Sequence, residues 1–180
     1  MKMLKKLLAV VLTGAMALTL LTACGSNAVT EKDIADAMND MAKAAEEDIT
    51  FTPRAKEREM AKAIAALSDE DLKELEESLK NSSLPEKAKE ILGINAGGAN
   101  ANNFVWCGAT YTDELGTSGQ ALNFMTQVMD KSANADKLRG KNPADDRYMG
   151  TALCKILDNE SGKLVTVRVI VITAEPVDKK

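Results

Sequence analysis

The segment LVTVRVIVI, residues 164–172, carries the clearest fold signal of the chain. Its residues alternate between two sides. Every second residue from Val165 to Val171 is valine, and the residues between and beside them are apolar except for Thr166 and Arg168. A strand that is solvated on one face alternates apolar with polar residues, so this segment predicts a strand covered by helices on both faces. For Arg168 we favour pairing with a carboxylate; the alternatives are extension to solvent and a position in a cleft.

The neighbouring segments predict the rest of the sheet and its helices. Residues 149–157 form a second apolar strand, and the turn-forming DNESG of residues 158–162 joins it to the first. Residues 104–111 predict a third strand, and apolar spacing predicts helices within 30–92 and over 118–131. The predicted fold class is therefore α+β, a three-layer α-β-α sandwich with a small antiparallel sheet.

Local signals predict two helix starts and one loop. Thr30 followed by Asp33 predicts a capping box, and Thr52-Pro53 predicts a helix with proline at its first position. The segment GINAGGANANN, residues 93–103, lacks the lysine and threonine of a phosphate-binding loop. We interpret it as a flexible connector or as the rim of a cleft.

The amino-terminal segment has the pattern of a secretory signal. Its first six residues contain three lysines, and residues 7–23 are uncharged and end in small residues. This run is shorter than the about 20 apolar residues that a spanning helix needs. Its ending LTAC, residues 21–24, resembles the lipobox of bacterial lipoprotein signals. The resemblance implies lipidation of the Cys24 thiol, cleavage before Cys24 and acylation of the new amino group; the alternative is an uncleaved membrane span.

These features predict a cellular location and domain boundaries. Two or more acyl chains hold a protein stably on a bilayer, so we expect a lipid-anchored protein on the extracytoplasmic face of the cell membrane. Residues 1–23 are the predicted signal peptide, 24–29 a tether, and 30–180 one globular domain. An extended tether of this length reaches about 15–20 Å, which keeps the domain close to the bilayer.

Composition excludes several classes of function. Removal of the signal takes three of the 23 basic residues and none of the 27 acidic residues, which leaves a net charge of −7. This charge argues against binding to nucleic acid. The chain contains no histidine, which excludes Ser-His and Cys-His catalysis and histidine-ligated zinc. We therefore predict no cofactor and no metal site.

Two cysteines remain after Cys24 is assigned to lipid. Outside the cytoplasm, such an even pair predicts a disulfide between Cys107 and Cys154. The alternative is two buried thiols that pack as small apolar side chains.

Acidic residues are the candidates for chemistry without imidazole. Asp113 and Glu114 precede a GTSG loop, and Asp145 and Asp146 form a second pair. Paired carboxylates can perform acid–base catalysis, although we favour solvated turn residues for both pairs. The acidic run 69–77 lacks the ligand spacing of a calcium loop and is interpreted as a solvated helix face.

Three longer segments carry a resemblance to a known fold. They are TPRAKEREMAKAIAAL (52–67), QALNFMTQVMDKSANADKLRG (120–140) and YMGTALCKILDNESGKLVTVRVIVI (148–172). Their order resembles the CAP fold, the superfamily of cysteine-rich secretory proteins, insect venom antigens and plant pathogenesis-related proteins, over roughly residues 30–173. The cleft of that family normally presents two histidines and acidic partners. This sequence has no histidine and no Gly-Glu-Asn triplet, so the resemblance implies the fold without a metal-binding cleft, and no catalytic residue is carried over.

The sequence therefore predicts a membrane-anchored lipoprotein with a non-enzymatic domain that binds a small apolar ligand, a peptide or a neighbouring protein. One alternative is an extracellular hydrolase that uses carboxylates or a serine. Another alternative is a purely structural envelope lipoprotein.

Overall fold

Helices and strands are interspersed along the part of the chain that the computed structural model describes, which is residues 29–68, 70–72, 84–112, 115–129, 132–158 and 162–178. In chain order these elements are α1 (Glu31–Ala44), β1 (Thr50–Pro53), α2 (Ala55–Ala65), α3 (Glu86–Leu92), β2 (Phe104–Tyr111), α4 (Thr117–Asn123) with a π-helical turn (Phe124–Val128), a 3-10 helix (Ala135–Leu138), β3 (Lys141–Leu157) and β4 (Leu164–Asp178). The fold class is α+β, as predicted. The predicted signal peptide, Cys24 and most of the acidic run 69–77 lie outside the described residues.

The four strands form one mixed sheet in the order β1-β3-β4-β2. β4 is antiparallel to β3 and to β2, which agrees with the antiparallel sheet predicted for these three strands. β1 is parallel to β3, so the prediction of an entirely antiparallel sheet is wrong. The predicted helix start at Thr52-Pro53 is also wrong, because Pro53 ends β1 and α2 begins at Ala55. The residue before a proline favours an extended backbone, and an edge strand tolerates the missing N–H of proline.

Two apolar clusters lie on opposite faces of the sheet. The first joins α1 and α4 to Ile170 and Ile172 of β4. The second joins α2 and α3 to Val169 and Val171 of the same strand. Because successive residues of a strand point to opposite faces, β4 contributes to both clusters, and this explains why the segment 164–172 is apolar on both sides.

Helix α2 lies directly against β3 at Gly150. A Cβ atom at this glycine would lie 1.9 Å from the backbone N of Arg58 and 2.2 Å from the carbonyl C of Glu57. Nearby, the backbone N–H of Arg54 donates a hydrogen bond to the carbonyl O of Met149 (2.8 Å). Only a residue without a side chain allows the helix and the strand to approach this closely.

The two cysteines of the domain lie on strands that β4 separates. Cys107 of β2 pairs with Val171, and Cys154 of β3 pairs with Val167. Two strand spacings separate them by about 9–10 Å across the sheet, and the four-residue offset between Val167 and Val171 adds about 13 Å along it, so their Cα atoms are about 16 Å apart. A disulfide needs Cα atoms within about 7 Å. Neither sulfur is disulfide-bonded, so the predicted Cys107–Cys154 bridge is wrong for this fold. Burial raises the pKa of the Cys107 thiol to about 12, and this thiol packs as a small apolar side chain.

The amino-terminal end of α1 is closed by the predicted capping box. The Thr30 hydroxyl accepts a hydrogen bond from the backbone N–H of Asp33, and the Asp33 carboxylate accepts one from the backbone N–H of Thr30. The hydrogen bond from the Thr30 side chain is the main reason why the pKa of Asp33 lies below its ordinary value. The capping box fixes the point at which the chain enters the domain, one residue after Val29.

Candidate functional site

The predicted carboxylate pairs do not converge on a site within the described ranges. Asp113 and Glu114 lie outside those ranges. Asp145 and Asp146 are exposed and lie where the pairing of β3 with β4 is irregular. Asp146 accepts a hydrogen bond from the Thr50 hydroxyl (2.9 Å), which ties it to β1. This pair is therefore part of the solvated surface, as the sequence interpretation favours.

Metal ligands do not cluster in the part of the chain that the structure describes. No three Cys, Asp or Glu side chains are placed there so that they could hold an ion together. Several carboxylates instead form ion pairs with arginine or lysine, as Glu31, Glu57 and Asp71 do. These carboxylates are engaged in holding elements of the fold together.

A concave surface of about 530 Å³ lies between the 93–103 loop and the 3-10 helix. We call it the loop cleft, and it is lined by Ala96, Gly97, Gly98, Ala101, Asn102, Lys137 and Leu138. Four of these seven residues are glycine or alanine, whose small side chains leave much of the backbone uncovered. Ligand sites are usually concave, although most have more large apolar and aromatic residues in their lining than this cleft has.

The loop that forms the cleft is fixed by hydrogen bonds to buried groups. Gly93 ends α3 in the left-handed conformation (φ 65°), and its carbonyl O accepts from the backbone N–H of Asn100 (2.9 Å). The buried side chain of Asn100 donates to the carbonyl O of Leu92 (2.8 Å) and accepts from the Lys56 ammonium (2.7 Å). A Cβ atom at Gly98 would lie 2.3 Å from the carbonyl O of Gly93, so this turn requires glycine. The loop is thus the rim of a cleft, one of the two sequence interpretations.

Lys137 supplies the one cationic group in the lining of the loop cleft. Its ammonium donates a hydrogen bond to the carbonyl O of Ile94 (2.8 Å), which joins the 3-10 helix to the loop. An ammonium has three N–H donors, so two remain for a ligand. The lining contains no hydroxyl, thiol or carboxylate. The cleft can therefore bind a carboxylate or a peptide group, and it presents none of the usual nucleophiles.

Glu57 is fully buried in α2, and the sequence analysis did not single it out. Its carboxylate accepts hydrogen bonds from Arg54 Nε (2.6 Å) and Nη2 (2.5 Å) and from the Thr173 hydroxyl (2.7 Å). Burial alone would raise the pKa of Glu57, but these hydrogen bonds and the charge of Arg54 outweigh burial and hold the pKa below its ordinary value. Arg54 also lies over the ring of Tyr148, 3.7 Å from its centroid. Both carboxylate oxygens are engaged, so this cluster joins α2 to the sheet.

Arg168 is buried, and its hydrogen-bond partners among the described residues are neutral, so the pairing with a carboxylate that the sequence favoured is not found there. Its guanidinium donates to Gln120 Oε1 (2.8 Å), to the Thr151 hydroxyl (3.1 Å) and to the carbonyl O of Val29 (2.6 Å). Burial lowers the pKa of Arg168, and acidic residues in the first turn of α1 oppose that shift. Val29 is the last residue of the predicted tether, 24–29, so this hydrogen bond joins the tether to β4.

Arg147 is buried beside two aromatic rings. Its guanidinium carbon lies 5.1 Å from the ring centroid of Trp106 and 5.9 Å from that of Phe51. Among the described residues, its Nε has no hydrogen-bond partner. Desolvation lowers the pKa of Arg147 to about 10, against the opposing charges of Asp145 and Glu47. Arg147 therefore stays charged at neutral pH and interacts with the ring faces.

Comparisons with known proteins assign no family to the chain. No family model matches the sequence, and neither a curated protein nor a solved structure is significantly similar to it.

Proposed function

We propose that the chain is an extracytoplasmic lipoprotein that is anchored through Cys24 and binds a small ligand without catalysing a reaction. The observation that carries the anchor is the ending LTAC, residues 21–24, after a basic start and an uncharged run. Only residues 25–28 separate Cys24 from Val29, where the described domain begins. Within that domain, no helix has the length and apolar character needed to cross a bilayer.

Cys24→Ala is expected to abolish lipid attachment, because alanine has no thiol to acylate. After fractionation of the producing cells, the wild type should be found in membranes with a mass above that of residues 24–180. The variant should be released or should remain an uncleaved precursor. Cys154→Ala is the control, and it should stay in the membrane fraction. A variant at Cys24 that is found in membranes with residues 1–23 removed would contradict the anchor.

The loop cleft is the proposed ligand site. Hydrogen bonds hold the start of its loop at Leu92 and Ile94 and the end of the loop at Asn103, so little ordering is needed when a ligand binds. We infer a ligand that carries a carboxylate, such as the end of a short peptide. The reason is that Lys137 retains two donors beside backbone groups of Gly97 and Gly98.

Lys137→Ala is expected to weaken peptide binding by about tenfold or more, because a hydrogen bond to a charged group contributes about 1.5–3 kcal/mol. The measurement is an NMR titration with a mixture of short peptides, followed at the amides of Gly97 and Gly98. Lys137→Arg keeps the charge and should keep most of the affinity. Lys32→Ala, on the exposed side of α1, is the matched control and should bind as the wild type does. Peptide binding that leaves both amides unshifted, or no peptide binding at all, would contradict the proposed site.

We also infer that the domain is a CAP-like three-layer sandwich. In support, α1 and α4 belong to the apolar cluster on one face of the sheet, and α2 and α3 belong to the cluster on the other face. The parallel edge strand β1 departs from the antiparallel sheet that the sequence pattern predicts. No ligand or catalytic residue is transferred from that family.

A further inference from the structure

Exposed apolar side chains concentrate at one end of the sheet. Among the described residues, five large apolar side chains are strongly exposed. Four of them, Tyr111, Leu153, Leu157 and Leu164, lie towards the end of the sheet where β3 is followed by β4. The fifth, Val177, lies at the opposite end of β4. Apolar residues grouped in this way mark a surface that contacts another apolar surface.

Three of these residues share one face of the sheet, and we call them the leucine patch. Leu153, Leu157 and Leu164 are 52%, 42% and 68% exposed. Leu157 pairs directly with Leu164 across the two strands, and Leu153 lies on the same face, opposite Arg168. The exposed Lys155 lies on this face between two of the leucines.

The helices on this face end where the leucine patch begins. α1 and α4 pack over Ile170 and Ile172 of β4. Arg168, two residues before Ile170 in β4, is also buried. Gln120 of α4 and the carbonyl of Val29 bind its guanidinium. Beyond Arg168, towards the turn between β3 and β4, the exposed described residues of this face are Lys155, Leu157 and Leu164.

We propose that the leucine patch inserts into the surface of the bilayer to which Cys24 is anchored; the proposal rests on the lipid anchor proposed above. The side chain of Arg168 binds the Val29 carbonyl, and Arg168 is itself the strand partner of Leu153. The five chain steps from Cys24 to Val29 span at most about 17 Å. The patch extends about 13 Å from Leu153 to Leu157. A lipid on Cys24 thus keeps the bilayer surface within reach of the whole patch.

The chemistry of this end of the sheet fits a lipid surface. Leucine side chains insert into a bilayer at the boundary between the lipid headgroups and the acyl chains. The apolar stem of Lys155 lies along such a surface while its ammonium extends to the headgroups. Tyr111, on the other face of the same end, is of a residue type enriched at membrane interfaces.

The test places an environment-sensitive fluorophore on the patch of the intact lipoprotein. Leu157→Cys, in a Cys154→Ala background, is labelled with nitrobenzoxadiazole and reconstituted into vesicles of phosphatidylethanolamine and phosphatidylglycerol. We expect the emission to shift to shorter wavelength and to be quenched by nitroxide-labelled acyl chains. Val177→Cys is the matched control, since it is also an exposed apolar position of the sheet, and its label should show neither effect. Leu164→Cys is a second patch position in case the first variant does not fold.

Each outcome separates the patch from the anchor. If the protein carries lipid and floats with the vesicles, but labels on the patch stay open to aqueous iodide and insensitive to nitroxide lipid, membrane insertion of the patch is wrong. A shift that grows with protein concentration without nitroxide quenching would assign the patch to a second copy of the chain and would equally overturn the proposal. Absence of lipid mass and of flotation would contradict the anchor itself, and insertion with it.

Discussion

Gly150→Ala is expected to lower the free energy of unfolding by about 3 kcal/mol or more, because the added methyl group has no space. Its Cβ atom would lie 1.9 Å and 2.2 Å from backbone atoms of α2, which cannot rotate away as a side chain can. Displacement of α2 would also break the hydrogen bond from Arg54 to Met149. A typical domain is stabilised by about 5–15 kcal/mol, so the loss is a large fraction of the total. Denaturant unfolding of residues 24–180, followed by circular dichroism, measures it.

Gly119→Ala is the matched control for this substitution. A Cβ atom at Gly119 of α4 would meet only the side chain of Leu115, at 3.1 Å from Cδ2. That side chain can move, and alanine favours helix over glycine by about 1 kcal/mol. The control should therefore unfold within about 1 kcal/mol of the wild type. If Gly150→Ala unfolds at the same denaturant concentration as Gly119→Ala, then α2 does not approach β3 as described.

Glu57→Gln is expected to destabilise the domain by about 2 kcal/mol at neutral pH. Removal of one partner from a buried ion pair typically costs about 3–5 kcal/mol. The side chain of Arg54 is 38% exposed, so water replaces part of the lost interaction and the lower figure applies. The Thr173 hydroxyl can still bond to the amide, which also limits the loss. The same denaturant measurement gives the value.

The acid sensitivity of the domain should change with Glu57 in a definite direction. The pKa of Glu57 is lower in the folded state than its ordinary value of 4.5, so protonation of this group favours unfolding. Its contribution to stability is complete above about pH 4.5 and is lost as the pH falls through the lower folded pKa. When the pH is lowered from neutral to below about 4.5, the free energy of unfolding should therefore fall more in the wild type than in Glu57→Gln.

Glu59→Gln provides the control for charge on the same helix. Glu59 is 68% exposed and pairs with Lys62 at the surface, so its loss should change stability by no more than about 0.5 kcal/mol. Unfolding free energies that are equal for Glu57→Gln and Glu59→Gln at neutral pH would show that the buried ion pair does not stabilise the fold.

The central strands could be predicted from local sequence, whereas the edge strand could not. The alternation in 164–172 is a local property of the chain, and it predicts β4 together with its burial on both faces. β1 has only four residues, TFTP, and pairs with β3 far along the chain. Its extended conformation depends on that partner, so a short segment before a helix gives too little pattern to identify it.

The buried charges were only partly predictable. Glu57 lies three, four and seven residues before Met60, Ala61 and Ile64, which are the buried residues of α2. Helical spacing therefore places this carboxylate on the buried side of α2, a signal that the sequence contains but that was not used to predict a buried charge. Arg147 gives no comparable signal, because the rings beside it come from two other strands.

The loop cleft and the separation of the cysteines both depend on how distant segments come together. The sequence shows an even pair of cysteines, but not that β4 lies between β2 and β3. It likewise shows a loop of small residues, but not that Lys137 reaches back to Ile94. Strand order and loop closure are set by contacts across the whole domain, and local patterns do not encode them.

The contact between Arg168 and the Val29 carbonyl gives the domain a defined point of mechanical attachment. In a chain held by lipid at Cys24, a pull from the bilayer arrives first at Val29. It is then borne by the Arg168 hydrogen bond and by the capping box at Thr30. Force applied at Val29 would break the hydrogen bonds of α1 one after another from its amino-terminal end. In the sheet, the same force would be distributed over many hydrogen bonds between strands. The first helix would thus yield to force while the sheet beneath it keeps its shape.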